Sequence, residues 1–214
     1  MLRVAHKIRS LLLLMKTTLY LARHGETQWN KVQRFQGQLD SELTELGKKQ
    51  STQTAENVSH NNVDLIISSN LGRAIESAAI CKQHLNINTE IVKGLTERHL
   101  GEWQGMKIED LIEDPNYIEV LHKYTELMPR GGESAICCGE RILKTIETLA
   151  KNHINKTLLV IFHGEALRCF YAALQTKNNS VTQNNSDKNA YDLFKNGCIS
   201  TLIYDHKNKI FNPK

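Results

Sequence analysis

Leu19-Tyr20-Leu21-Ala22-Arg23-His24-Gly25-Glu26-Thr27 decides how the rest of the chain is read. An apolar run stops at an arginine and a histidine, and a glycine follows at once. If the run is a buried strand, its carboxyl end carries Arg23 and His24 to the rim of a sheet, where open α/β folds bind ligands. Gly25 allows the backbone a sharp turn and a close approach to an anion. The arrangement recurs late in the chain, where Leu158-Leu159-Val160-Ile161-Phe162 runs into His163-Gly164-Glu165. If the two strands are neighbours, two imidazoles stand at one edge.

Working outward, Thr17 to Ala22 reads as a first strand, covered on both faces because its apolar residues do not strictly alternate. Arg23 to Leu43 is a polar binding loop anchored by Trp29 and Phe35, with Gly37 and Asp40 as turn residues. Thr44 is an N-cap for a helix to about His60. Val63 to Ser69 reads as a strand, followed by a helix from about Leu71 with Leu71, Ala74, Ile75 and Ala78 at helical spacing and Arg73 on its first turn. A short strand is expected near Glu90 to Val92. Leu95 to Arg130, broken by Pro115 and Pro129, reads as two or three short helices forming a lid. Gly131-Gly132-Glu133-Ser134 opens a helix to about Asn152, in which Gly139 costs about 1 kcal/mol relative to alanine. A helix from Glu165 to Leu174 follows the fourth strand. Gln175 to Asn189 is a low-complexity stretch read as a mobile loop, and Cys198 to Asp205 is a last strand, at an edge, with a short tail. This alternation predicts a three-layer αβα sandwich with a mostly parallel sheet and a helical lid insertion.

The 214 residues fit one domain, read as residues 15–214 with the lid at about 95–130. Residues 1–14 are read as an N-terminal extension: basic, free of acids, and ending in four leucines, too few to span a membrane. A tail or upstream start before Met15 and an organelle-targeting leader are the two readings of it. Three of the net four positive charges fall there, on Arg3, Lys7 and Arg9, so the body is nearly balanced and offers no basic face for nucleic acid. The five cysteines, Cys81, Cys137, Cys138, Cys169 and Cys198, are odd in number and lack C-x-x-C spacing. They read as reduced, buried thiols of a cytoplasmic protein. The apolar tracts suit core strands and give no heptads, so a homodimer would use a surface the sequence does not mark.

An isolated Arg-His-Gly carries little weight; the conjunction carries it. Arg73 follows the second strand and His163 a later one, and in a parallel sheet these positions converge on one rim with Arg23 and His24. Two arginines and two histidines there can surround a phosphoryl group, because guanidinium donors are planar, bidentate and always charged. Amides at helix N-termini would add to the field. Phosphoryl transfer needs mainly positioning and charge neutralisation. No Asp/Asp/His cluster or His-x-His spacing marks a metal site, so the expectation is a reaction with no metal and no cofactor. One imidazole would be the nucleophile, giving a phosphohistidine; spacing does not say which.

The chain resembles the phosphoglycerate-mutase-like branch of the histidine phosphatase superfamily. The matching segments are Leu21 to Thr27 with Trp29-Asn30, Arg34-Phe35-Gln36-Gly37 through Asp40, and Leu43-Thr44-Glu45-Leu46-Gly47. They continue with Ser68-Ser69 through Arg73-Ala74, Leu95-Thr96-Glu97, Gly101 to Gly105, Gly132-Glu133-Ser134 and Phe162-His163-Gly164. The resemblance implies that His24 is the nucleophile, that Arg23, Arg73 and His163 form the phosphate pocket, and that Glu97 is the proton donor and then the base toward water. It also implies phosphate or substrate contacts from Asn30, Gln36, Gly37 and Gly164. Asn70 stands where the family often has aspartate, and Glu76-Ser77 replaces a common Gln-Thr pair.

Read without that resemblance, Glu97 is a solvated acid paired with Arg98, and Glu26 and Glu165 are structural partners of helix N-termini. His99 and His122 are then exposed polar groups, and Trp103 a packing anchor. Mutases resembling this chain carry a longer segment after the catalytic glutamate, with a paired-arginine motif. Here 33 residues separate Glu97 from Gly131, with Arg130 and no Arg-Arg pair. The expected activity is therefore hydrolysis of a small phosphorylated metabolite by a phosphomonoesterase. A phosphoglycerate mutase is the alternative, and a non-catalytic phosphate-binding protein a more distant one.

Overall fold

A computed structural model describes residues 15–178 and 193–213. Residues 1–14 and most of the stretch read as a mobile loop lie outside the described residues. Six strands form one sheet in the order β3-β2-β4-β1-β5-β6. They are β1 (Lys16–Arg23), β2 (Leu65–Ser68), β3 (Thr89–Ile91), β4 (Thr157–Phe162), β5 (Ile199–Asp205) and β6 (Ile210–Pro213). The first four are mutually parallel, β5 pairs antiparallel with β1, and β6 pairs antiparallel with β5.

Successive residues of a strand point to opposite faces, and here both faces are dry. Leu19 and Leu21 of β1, with Leu158, Val160 and Phe162 of β4, pack on one side against Ile142 and Ile146 of α6 (Ala135–Asn152) and Phe170 of α7 (Gly164–Lys177). Tyr20 and Ala22, with Leu159 and Ile161, pack on the other side. There they meet Ala55 and Val58 of α2 (Glu45–Val58) and Ala74, Ala78 and Cys81 of α3 (Gly72–Leu85). This explains the unbroken apolar runs and gives the three layers. A short α1 (Gln28–Lys31) lies in the loop after β1, and α4 (Ile108–Leu111) and α5 (Tyr117–His122) belong to the lid. Phe35, Leu100, Trp103, Leu111, Tyr117, Val120 and Leu121 give the lid its own core.

Caps end the helices where the sequence signals them: Thr44 accepts from the Gly47 amide at 3.0 Å and Ser134 from the Cys137 amide at 3.0 Å. Gly139, unfavourable for a helix, is required by packing, since a Cβ there would stand 2.5 Å from the Cys169 carbonyl oxygen of α7. Three expectations need correction. The Cys198–Asp205 strand is not an edge: β5 pairs with β1, and β6, formed from the supposed tail, pairs with it outside. Asp205 closes that hairpin by accepting from the Lys207 and Asn208 amides, and Pro213 is tolerated at the sheet edge. The helix expected to stop at Leu174 continues to Lys177, taking three residues of the supposed loop. All five cysteines are free, but Cys137 on the first turn of α6 is exposed and Cys198 half-buried. Burial pushes the Cys81 thiol up to about 12.

Gly25 has a cause other than a turn. A Cβ on it would lie 2.1 Å from the Gly47 carbonyl oxygen, and one on Gly47 would lie 2.0 Å from that of Glu26. The backbone after β1 thus rests directly on the first turn of α2. Gly47→Ala is expected to lose about 2–3 kcal/mol in urea unfolding by overpacking against rigid backbone; a loss below about 0.5 kcal/mol would refute this contact.

Candidate active site

β1 is followed in the chain by β2, but β4 is inserted between them, so the carboxyl ends of β1 and β4 are adjacent. Arg23 is paired in register with Phe162, and the His24 amide extends that ladder by donating to the Phe162 carbonyl at 3.0 Å. The next residue on each strand is a histidine, and the His24 and His163 rings lie 5.3 Å apart. On the far side of β4, the end of β2 supplies Ser69, whose hydroxyl is 2.7 Å from His163 Nε2. Arg73 enters from the first turn of α3 beside them. The four side chains expected at one rim are together and buried.

His24 has a defined tautomer. Its Nδ1 is 2.7 Å from the Gly25 carbonyl oxygen, which can only accept, so Nδ1 carries the hydrogen. Its Nε2 is 3.2 Å from Arg73 Nε, which can only donate, so Nε2 holds a lone pair. Burial lowers the His24 pKa well below its ordinary value; Arg73 and then Arg23 act the same way, and the Gly25 hydrogen bond opposes them. Burial followed by Arg73, His24 and Arg23 also keeps His163 neutral. The His163 Nδ1 atom is buried with no hydrogen-bond partner among the described residues. A polar atom kept dry in this way is costly unless a ligand meets it.

Arg73 is held by the binding loop. Its Nη1 donates to the Leu39 carbonyl at 2.7 Å and to Asp40 Oδ1 at 3.1 Å, and its Nη2 to the Gly37 carbonyl at 2.7 Å. Asp40 also caps α3, whose N-cap Leu71 offers no side-chain acceptor, by accepting from the Gly72 and Arg73 amides. Arg23 donates to the Phe194 carbonyl at 2.7 Å, and Gly164 leaves room for its guanidinium, 3.2 Å from where a Cβ would stand. Asn30 Oδ1 accepts from the Thr27 amide and from Asn196, and Gln36 is buried with its Oε1 unpartnered among the described residues.

Glu97 is not a solvated acid paired with the Arg98 side chain. Its Oε1 accepts from the Arg98 amide at 2.7 Å and the Ala166 amide at 2.8 Å, and its Oε2 from the Glu165 amide at 3.2 Å. The N-termini of α3 and α7 are therefore used by Asp40 and Glu97, where the sequence suggested donors toward phosphate. Burial and then Glu165 raise the Glu97 pKa, against Arg73 and the amides. The Arg98 guanidinium binds Glu165 at 3.1 Å, and Arg168 binds it at 3.0 Å through each of Nε and Nη2. Burial alone would raise Glu165, but Arg168 and Arg98 outweigh it and hold Glu165 below the usual carboxylate range. Two adjacent acids are thus driven in opposite directions, a pattern that separates acid and base roles.

Sequence pattern alone does not mark Asp40, Ser69, Glu165 and Arg168 as site residues. In the sequence Asp40 reads as a turn residue, because the helix whose first amide it accepts from lies 32 residues further along the chain and no local pattern links the two. His99 and His122 do not line the cavity, and Trp103 is a buried anchor stacked on Tyr117 at 6.3 Å. Asn70 bonds Thr96, and the Ser77 hydroxyl accepts from the Gly25 amide at 3.1 Å, so Ser77 helps to hold the backbone beside His24. Among the described residues, no group of three or more His, Cys, Asp or Glu side chains could hold a metal ion, and no helix is long and apolar enough to cross a membrane.

The neutral histidines have a stability consequence. Their folded pKa values lie below the unfolded value of about 6.5, so the unfolded chain binds more protons as pH falls through that value, and stability falls with it. Glu97 acts oppositely: its raised folded pKa adds stability at low pH that is lost as pH rises through that folded value. Urea midpoints between about pH 7.5 and 5.5 should fall, and fall less in His163→Gln; an equal fall in both proteins would contradict neutral burial of His163.

Comparison with known proteins agrees with this geometry. Residues 19–212 match the Histidine phosphatase superfamily (branch 1). Phosphoserine phosphatase 1 of Hydrogenobacter thermophilus is 34% identical over 160 residues, covering 73% of this chain and 75% of that protein. A metal-independent phosphoserine phosphatase of Arabidopsis thaliana is 33% identical over 182 residues, covering 83% and 76%. Other relatives carry phosphoglycerate mutase names. A solved structure of phosphoserine phosphatase from Entamoeba histolytica with 3-phosphoglyceric acid is 28% identical. It matches with a TM-score of 0.73 over 92% of this chain and 95% of that one. The chain belongs to the histidine phosphatase superfamily.

Proposed function

We propose that this protein is a metal-independent phosphomonoesterase acting on a small phosphorylated metabolite through a phosphohistidine at His24. The observation that carries the reading is the orientation of His24. Its hydrogen is committed to Gly25 and its lone pair lies beside the Arg73 guanidinium, so the neutral nucleophile needs no prior deprotonation. Arg23 and Arg73 would neutralise the transferring phosphoryl oxygens, and His163 Nδ1–H would donate to one of them, with Ser69 fixing the His163 ring. Asn30, Gln36, Gly37 and Gly164 shape the walls around the ester.

In the first step the His24 Nε2 lone pair forms an N–P bond as the P–O bond to the alcohol breaks. Glu97, whose pKa burial raises, would give a proton to the departing oxygen. In the second step ionised Glu97 takes a proton from water, the water oxygen bonds phosphorus, and the N–P bond breaks. Inorganic phosphate leaves, and neutral His24 and protonated Glu97 are restored. Residues 15–214 would act as one catalytic domain with its lid at 95–130. The reading assigns it to the cytoplasm, without a nucleic-acid or membrane partner and with self-association left to measurement. A mutase remains the alternative, favoured by the mutase-named relatives. Against it stands the short segment after Glu97, which brings no Arg-Arg pair.

His24→Ala should abolish turnover; near-normal rates would reject the assignment. In Glu97→Gln, kcat/KM for alkyl phosphates should fall by about 10²–10⁴, and for p-nitrophenyl phosphate by less than about tenfold, because nitrophenolate leaves without a proton. Equal losses would remove Glu97 as the acid. Hydrolysis should survive EDTA, and loss of activity restored by a divalent ion would contradict the metal-free reading. Bisphosphate-stimulated interconversion of phosphoglycerates exceeding hydrolysis would favour the mutase.

A further inference from the structure

The site opens into a cavity of about 320 Å³, several times the size of a phosphoryl group, whose two ends differ in chemistry. Arg23, His24, Arg73 and Glu97 line the phosphate end. The far end is walled by Phe35, Leu100, Ile108, Tyr117 and Leu121, which pack together in the lid. These side chains belong to the lid core, so the wall exists before any ligand arrives. Phe35 and Tyr117 lie 6.5 Å apart at 59°, and Trp103 backs Tyr117. Arg98 fixes α5, which carries Tyr117 and Leu121, by donating to the Val120 carbonyl at 2.7 Å.

Resting on the phosphomonoesterase reading, we propose that this wall selects phosphate esters of uncharged alcohols with a planar or branched apolar body. Esters carrying a second anionic group on the alcohol are disfavoured. Arg23 and Arg73 are the cations lining the cavity among the described residues, and both stand at the phosphate end. A substrate carboxylate at the far end would give up its water against Phe35, Leu100 and Leu121, which is costly without a partner. Its remaining charged neighbours in the lining are Glu97 and Glu165, both acids. An aromatic or branched apolar group would instead be buried against matching surface.

Two arms test this on the full chain. In the first, kcat/KM is measured for 2-phenylethyl phosphate, O-phosphoserine and 3-phosphoglycerate. The phenylethyl ester should exceed each carboxylated ester by about tenfold or more, the scale of discrimination by an apolar pocket. In the second, calorimetry compares 2-phenylethylphosphonate with 2-carboxyethylphosphonate, which cannot be hydrolysed, and the aromatic compound should bind at least about tenfold more tightly. Ile108→Arg, at a partly exposed position on the cavity wall, should shrink or invert both ratios while its thermal midpoint stays near that of the unmodified protein. Carboxylated compounds that match or beat the aromatic ones in both arms would overturn the proposal, even with hydrolysis proceeding. Discrimination between the phosphonates with no ester hydrolysed would uphold the wall's selectivity and refute the phosphatase reading instead.

Discussion

One imidazole held between a carbonyl and a guanidinium organises this molecule. Gly25 offers His24 an oxygen that cannot donate, and Arg73 offers it a hydrogen that cannot be withdrawn. Together they leave the histidine neutral and oriented, with its one lone pair on Nε2 facing the Arg73 guanidinium. Three structural features maintain that clamp. The Gly25 carbonyl is held in place because the chain after β1 rests on Gly47. Arg73 is aimed because Gly37, Leu39 and Asp40 receive three of its four other N–H donors. The second imidazole stands close because β4 is inserted between β1 and β2.

The electrostatics follow from the same burial. Gathering cations and acids away from water would be prohibitive if they were left unmatched. The two histidines respond by staying neutral. Arg73 answers Asp40, and Glu165 answers Arg98 and Arg168. Glu97 has three backbone amides but, among the described residues, no side-chain cation bonded to it, and burial raises its pKa. The same burial thus pulls the pKa of His24 down and that of Glu97 up, the directions that the proposed nucleophile and acid require.

Much of this was legible in the sequence, for a local reason. Arg23, His24 and His163 each terminate an apolar run or follow its last residue, and Arg73 lies on a helix that begins soon after one, so strand order alone brings them together. What escaped notice depends on distant partners. Asp40 looks like a turn residue until α3 is placed above it, and the Glu165 pairing with Arg98 crosses 67 residues. Gly25 was the right residue with the wrong cause, because close contact with Gly47 is a tertiary fact. The β6 strand carries only Ile210 and Phe211 as apolar signal, too little to distinguish it from a tail.

The account turns on which nitrogen receives the phosphoryl group. Rapid acid-free quenching during turnover, followed by peptide mapping and separation of the phosphohistidine isomers, measures that directly. The label is predicted on His24 at Nε2. Label at Nδ1, or on His163, would contradict the clamp.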